Sequence, residues 1–194
     1  SSHRLGDDVL QWRLGSLGSA GEAVSPARIS TFEALDAVVS RLADRARFPA
    51  MARIVLAGHS GGGQMAHRYA IVGHGHDIAT RAGIQVRYVV ANPSSYLYFS
   101  DDRPTPDGKF RPFDAAGCPD FNRWRYGLRG GPGYVRRART ADLEDAYARR
   151  DVVYLLGTAD TDPNHFELDK TCMGEAQGPH RNARGVAYLR YQRE

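Results

Sequence analysis

The feature that most constrains this chain is a serine framed by glycines, in residues 58–62, which read Gly-His-Ser-Gly-Gly. The segment before it, residues 54–57, is a short β-branched run that predicts a buried strand. After it, Met65, Tyr69 and Val72 recur at helical spacing, which predicts a helix packed on a sheet. The serine is therefore expected on a tight turn between a strand and a helix.

A strand, a G-x-S-x-G turn and a helix, in that order, present a serine for nucleophilic attack on a carbonyl. The turn is strained, and its neighbours must be small because strand and helix nearly touch. We predict Ser60 as the nucleophile and the backbone N–H of Gly61 as an oxyanion donor. His59 is expected to face away from Ser60 and to buttress the turn. No Lys follows as in a phosphate-binding Walker loop.

The acid of a catalytic triad in such a fold follows a later strand. Three residues separate Asp160 from the apolar run 152–156, and parallel strands end at the same sheet edge. We therefore predict Asp160 as the acid, with Asp162 as the alternative. Both aspartates are also ordinary turn residues beside Pro163.

The base is less well defined by the sequence. His180 is the best internal candidate, and this assignment applies only if the chain is complete. His165 is the alternative. Both are also interpretable as loop histidines, and we expect neither to lie within hydrogen-bond reach of Ser60 Oγ. His74, His76 and Asp77 form a weak cluster without the spacing of a metal site, so no metal and no cofactor are expected.

Three strands, at residues 54–57, 86–91 and 152–156, alternate with helices, which predicts an α/β fold with a doubly wound, mostly parallel sheet in three layers. Ser30 and Glu33 form a capping box that predicts a helix, with apolar residues at helical spacing as far as Leu42 and an end to the pattern at Phe48-Pro49. Other helices are predicted after Thr140 and over residues 184–192. Residues 1–29 are expected to be loop, and residues 93–138 an ordered lid or binding segment. One domain is expected over residues 1–194.

Composition excludes some classes of protein. The chain carries a net charge of +4, but its arginines are scattered and no nucleic-acid-binding motif is present. The apolar runs are of strand length, so no membrane span is expected. Cys118 and Cys172 are the two cysteines. We predict that they pair, which would favour an oxidising, extracytoplasmic compartment.

Several segments together resemble a little-characterised α/β-hydrolase family of bacteria and fungi. They are residues 32–36, 48–49, 57–64, 68–70, 92–96, 124–128, 157–162, 176–181 and 183–185. The resemblance implies earlier strands with a second oxyanion donor, and a last strand followed by the catalytic histidine. It therefore implies a fragment of a longer hydrolase, with an incomplete sheet and a histidine beyond Glu194.

The predicted function is cleavage of an ester or amide, in a small molecule or a polymer, through an acyl-enzyme on Ser60. The alternatives are a non-catalytic binding protein on the same fold and an acyltransferase that uses the same serine. The following aromatic residues could wall the substrate pocket or belong to the core: Tyr96, Tyr98, Phe99, Trp124 and Tyr126.

Overall fold

The computed structural model describes residues 17–24, 27–138 and 142–193. The described helices are α1 (Thr31–Leu42), α2 (Gly61–Val72), α3 (Gly75–Arg81), α4 (Gly133–Arg137), α5 (Leu143–Ala148), α6 (Cys172–Glu175) and α7 (Arg181–Tyr191). The described strands are β1 (Arg53–His59), β2 (Gln85–Ala91), β3 (Asp102–Pro104), β4 (Phe110–Pro112) and β5 (Asp151–Leu155). Helices and strands alternate along much of this length, as the sequence predicted.

The central sheet is parallel and has the strand order β1-β2-β5. Its register pairs His59 with Ala91, and Ala91 with Leu155. The carboxyl ends of all three strands therefore meet along one edge of the sheet. The three predicted strands are confirmed, and their ends differ from the predicted ends by at most two residues.

The two faces of this sheet differ in burial. Ile54, Val86 and Tyr88 are buried in a core with residues of α2. On the opposite face, the Val55 side chain is 54% exposed and that of Leu155 is 52% exposed. Among the described residues no helix covers this open face, so the parallel α/β sheet is present with one of the two predicted helical layers.

Local sequence signals predicted the starts of the helices with differing accuracy. At α1 the Ser30 side chain and Glu33 form the complete capping box, as predicted. Helix α5 begins at Leu143, after Asp142, whereas its predicted cap Thr140 lies outside the described residues. Helix α7 begins at Arg181, three residues before the predicted start. Of the expected N-terminal loop, residues 1–16 and 25–26 also lie outside the described part.

Residues 93–138 are ordered by packing. They contain the antiparallel hairpin β3-β4 and helix α4. Tyr96 and Tyr98 are fully buried against Tyr188 of α7, and Trp124 Nε1 donates to the Ser19 carbonyl at 2.8 Å. Phe99 packs against the main core. These aromatic side chains belong to the core rather than to a pocket wall.

Cys118 and Cys172 form a disulfide, with their Cα atoms 5.9 Å apart. The predicted pairing is confirmed, and it joins the 93–138 segment to α6. A disulfide is consistent with an extracytoplasmic location. None of the described helices is long and apolar enough to cross a membrane.

Candidate active site

Ser60 lies between β1 and α2 in a backbone conformation that non-glycine residues rarely adopt, with φ +52° and ψ −116°. Its amide donates to the Ala91 carbonyl at 2.9 Å, which ties the turn to the end of β2. The side chain makes no cap hydrogen bond to α2. Strain at a residue whose hydroxyl serves no structural purpose is typical of a functional position.

The glycines around Ser60 have different roles. A Cβ atom on Gly58 would collide with the Gly62 carbonyl, and one on Gly63 would collide with the Ala91 carbonyl. Neither Gly61 nor Gly62 would bring a Cβ within 4 Å of another group. The close approach of strand and helix therefore requires Gly58 and Gly63. At Gly61, the first residue of α2, the amide belongs to the set that has no partner within a helix.

The loops after β2 and β5 are held together by an asparagine. Asn92 also has a positive φ, +41°, and its Oδ1 accepts from the Gly157 amide at 2.6 Å. The backbone N–H of Asn92 donates to the Leu155 carbonyl. Asparagine tolerates this left-handed conformation better than most side chains. Asn92 thus fixes the position of the loop that carries Asp160 relative to the serine turn.

Asp160 and Asp162 have different surroundings. Asp160 is partly buried, and its Oδ1 lies 3.4 Å from Arg181 Nη1. Its backbone carbonyl accepts from the Asn182 amide. Asp162 is exposed, and its side chain caps a local turn by accepting from the Asn164 amide at 2.8 Å. Asp162 is thus a turn residue, and Asp160 is the carboxylate held beside the serine turn.

A small cavity of about 180 Å³ contains the candidate nucleophile and the candidate acid. Seven residues line it: His59, Ser60, Asn92, Asp160, His165, Glu167 and Arg181. They come from the carboxyl ends of β1 and β2, from the segment that follows β5 and from the start of α7. This is the edge at which ligands bind in open α/β sheets.

The histidines near this edge have distinct partners. His165 Nδ1 accepts from the Glu167 amide at 3.2 Å, and its ring stacks on exposed Phe166. His180 lies outside the small cavity and caps α7, where its Nδ1 accepts from the Ala183 amide. Within the described ranges no hydrogen bond joins a histidine to Ser60 Oγ. The geometry therefore gives no support to His180 as the base.

The expectation for His59 was wrong. Its side chain is exposed and lines the cavity with Ser60 instead of packing behind the turn. The reason lies in the strand alternation, because alternate residues of β1 share one face. His59 falls on the face of Val55, which the described helices leave open.

The weak cluster of His74, His76 and Asp77 does not assemble into a metal site in the described part of the chain. His74 Nδ1 lies 3.3 Å from Asp36 Oδ2, and Asp36 also accepts from the hydroxyls of Tyr69 and Tyr134. These contacts connect α1, α2 and α4. His76 stacks on Tyr88, and burial together with the charge of Arg150 lowers its pKa.

Two buried polar residues of α2 join this helix to distant parts of the chain. Arg68 donates to the Gly18 and Arg125 carbonyls and to Ser95 Oγ, and burial with the nearby charge of Arg125 lowers its pKa to about 9. His67 Nε2 accepts from the Leu97 amide at 2.9 Å. Burial, with a contribution from Arg68, lowers the pKa of His67 well below its usual value, so the imidazole is neutral.

Comparison with known proteins gives one informative likeness. No family model and no curated protein matches the sequence. The solved structure of poly(aspartic acid) hydrolase-1 from Sphingomonas sp. KT-1 is similar, with a TM-score of 0.57 and 28% sequence identity. The match covers 87% of this chain and 51% of that chain, so the present chain spans about half of that structure's length. This likeness supports a hydrolytic function in general terms.

Proposed function

We propose that this chain carries the nucleophile and the acid of a serine hydrolase, with Ser60 as nucleophile and Asp160 as acid. The observation that supports this most directly is the strained Ser60 at a strand-helix turn, facing the same cavity as Asp160. The similarity to a hydrolase is a second, independent support. Neither support depends on the sequence motif alone.

The proposed reaction proceeds through an acyl-enzyme. Ser60 Oγ attacks the carbonyl carbon of an ester or amide while a histidine takes its proton. The tetrahedral oxyanion accepts a hydrogen bond from the Gly61 amide. The intermediate then collapses, the leaving group receives the proton, and water hydrolyses the acyl-serine. Asp160 holds the histidine in the required orientation and stabilises its protonated form.

We propose that the base comes from outside residues 1–194. The Nδ1 atoms of His165 and His180 accept from backbone amides, whereas a triad histidine donates from Nδ1 to its acid. The match covers only 51% of the hydrolase that this chain resembles, which leaves room for such a histidine elsewhere in a longer protein. We propose that the second oxyanion donor also lies outside residues 1–194, since a longer hydrolase leaves room for it there.

The first substrates to test are amides in an anionic polymer. The similar protein is named for hydrolysis of poly(aspartic acid), whose repeating unit carries an amide and a carboxylate. The present chain has a net charge of +4, which favours association with a polyanion. A neutral activated ester is the matching comparison substrate, since it tests the acyl chemistry without the charge.

A fluorophosphonate probe tests the proposal because it reacts only with an activated serine. We expect the full protein, including any part beyond residues 1–194, to be labelled on Ser60, as shown by mass spectrometry of the peptide, and its Ser60→Ala variant to remain unlabelled. Ser100→Ala, which changes a serine of the 93–138 segment, is a control that should label as the wild type does. No labelling of the wild-type protein would instead favour a non-catalytic binding protein.

An acyltransferase would also be labelled, so product analysis must separate the two enzymes. With an activated ester and an added alcohol, a hydrolase yields mainly the free acid. If the product were mainly the new ester, the reaction would be acyl transfer and not hydrolysis. Ser60 would still be the nucleophile.

A further inference from the structure

Arg181 occupies an unusual place beside the proposed site. It is the first residue of α7, and only 5% of its surface is exposed. Its Nη1 lies 3.4 Å from Asp160 Oδ1, and its Nε donates to Ser94 Oγ at 3.2 Å. Its guanidinium therefore bridges the loop after β2 and the loop after β5.

A buried arginine at this position is costly for folding alone. Removing a guanidinium from water is unfavourable unless it is paired, and the start of a helix carries partial positive charge. Nη2 of Arg181 is buried without a hydrogen-bond partner among the described residues, which adds to the cost. Asp160 is the carboxylate that pairs with it in the described part of the chain.

The residues of α7 next to Arg181 make different contacts. The Asn182 amide donates to the Asp160 carbonyl at 3.1 Å, and its side chain donates to the Gly157 carbonyl. Arg184, one turn further on, is also buried, but it donates to the carbonyls of Gly178, Ser94 and Asp169. Arg184 thus anchors the helix, whereas Arg181 contacts the carboxylate itself.

We infer that Arg181 is a positioning residue that acts through Asp160 and orients its carboxylate for the catalytic base. The inference rests on the proposed function. Arg181 contacts Oδ1 of Asp160, which leaves the other oxygen, Oδ2, to accept from the histidine. A planar guanidinium can bridge Asp160 and Ser94 at once, which a lysine ammonium does less well.

A double-mutant cycle on the full protein tests this inference, with the rate of fluorophosphonate labelling as the measurement. We expect Arg181→Ala to slow labelling about 10- to 100-fold, as a misplaced catalytic group does. The double variant with Asp160→Asn should be no slower than Asp160→Asn alone, because Arg181 acts only through that carboxylate. Added guanidinium ion should restore part of the rate in Arg181→Ala.

The matched control is Arg184→Lys, which should lower the melting temperature and leave the labelling rate unchanged. If Arg181→Ala does not fold, Arg181→Lys is used in its place. We expect this variant to have the circular dichroism spectrum of the wild type and to be labelled more slowly. Losses that multiply in the double variant would overturn the inference, as would wild-type labelling rates in a folded Arg181 variant. An unlabelled wild type would instead remove the proposed function, and the inference with it.

Discussion

The start and the middle of helix α2 illustrate different uses of polar residues. At its start, Ser60 is strained and its hydroxyl makes no cap hydrogen bond. Further along, His67 and Arg68 are wholly buried, and each is held by several partners from distant parts of the chain. One helix thus carries the proposed nucleophile at the sheet edge and stabilises the segment 93–138 through its buried side.

This difference predicts a separation of activity from stability. Changes at the sheet edge should alter catalysis and leave the free energy of unfolding nearly unchanged. Changes in the buried part should alter stability first. A mutation that violates this division would show that the two regions are coupled more tightly than their contacts indicate.

The largest expected effect is that of Ser60→Ala. We expect kcat for an activated ester to fall by about 10⁶-fold, since the hydroxyl is the proposed nucleophile. The melting temperature should not change, because the side chain makes no cap bond. A residual activity within tenfold of wild type would remove Ser60 from the mechanism.

Asp160→Asn should follow, with a loss of about 10⁴-fold in kcat, because an amide cannot orient and stabilise a protonated histidine. Asp162→Asn is its matched control. The Asp162 side chain accepts from the Asn164 amide, and an asparagine oxygen can do the same, so less than a tenfold change is expected. A larger loss for Asp162→Asn than for Asp160→Asn would reverse the assignment.

The disulfide should have the largest effect on stability. Replacing both Cys118 and Cys172 with alanine frees two segments separated by 54 residues, which costs about 4 kcal/mol in the chain-entropy account. Urea unfolding measures the loss, and wild-type protein under reducing conditions is the comparison. A loss below about 1 kcal/mol would mean that packing alone holds the segment 93–138 in place.

His67 predicts how stability depends on pH. Its pKa in the folded protein lies below the ordinary 6.5, so below that pH the unfolded chain binds a proton that the native protein does not. Stability should therefore fall as the pH drops below about 6.5, by at most about 1.4 kcal/mol per pH unit for one proton. His67→Gln should be less stable near neutrality but should show a shallower decline. Urea unfolding from pH 7 to 5 measures this decline. If the free energy of unfolding fell with pH equally steeply in the wild type and in His67→Gln, the prediction would be wrong.

The smallest expected effects are those of His165→Gln and His180→Gln. Each should change kcat less than tenfold, because both rings accept from backbone amides rather than contact Ser60. His180→Gln should also lower the melting temperature slightly, since His180 caps α7. A loss near 10³-fold in either variant would identify the base within this chain.

Local patterns predicted much of the framework. The capping box at Ser30 and the apolar run before Gly58 are contiguous signals, so α1 and β1 could be predicted from a few residues each. The position of Asp160 followed in the same way from its place just after β5. The start of α7 was predicted three residues late, because histidine is not among the usual capping residues.

Contacts between distant residues could not be predicted. Asn92 and Gly157 are 65 positions apart, and no local pattern indicates that one accepts a hydrogen bond from the other. Arg181 is similar, because its residue type indicates neither its burial nor its carboxylate partner. The Asn-Pro step after β2 was the one available signal for Asn92, since asparagine tolerates positive φ.

The parallel register of the sheet has a kinetic consequence. Parallel neighbours cannot be joined by a tight hairpin, so the β1-β2 and β2-β5 pairings each close a long loop before any contact repays the lost chain entropy. High contact order slows folding. The cavity beside Ser60 is complete only after both pairings exist and α7 has docked. Regained serine reactivity would therefore report the last stage of refolding, after local helices have formed.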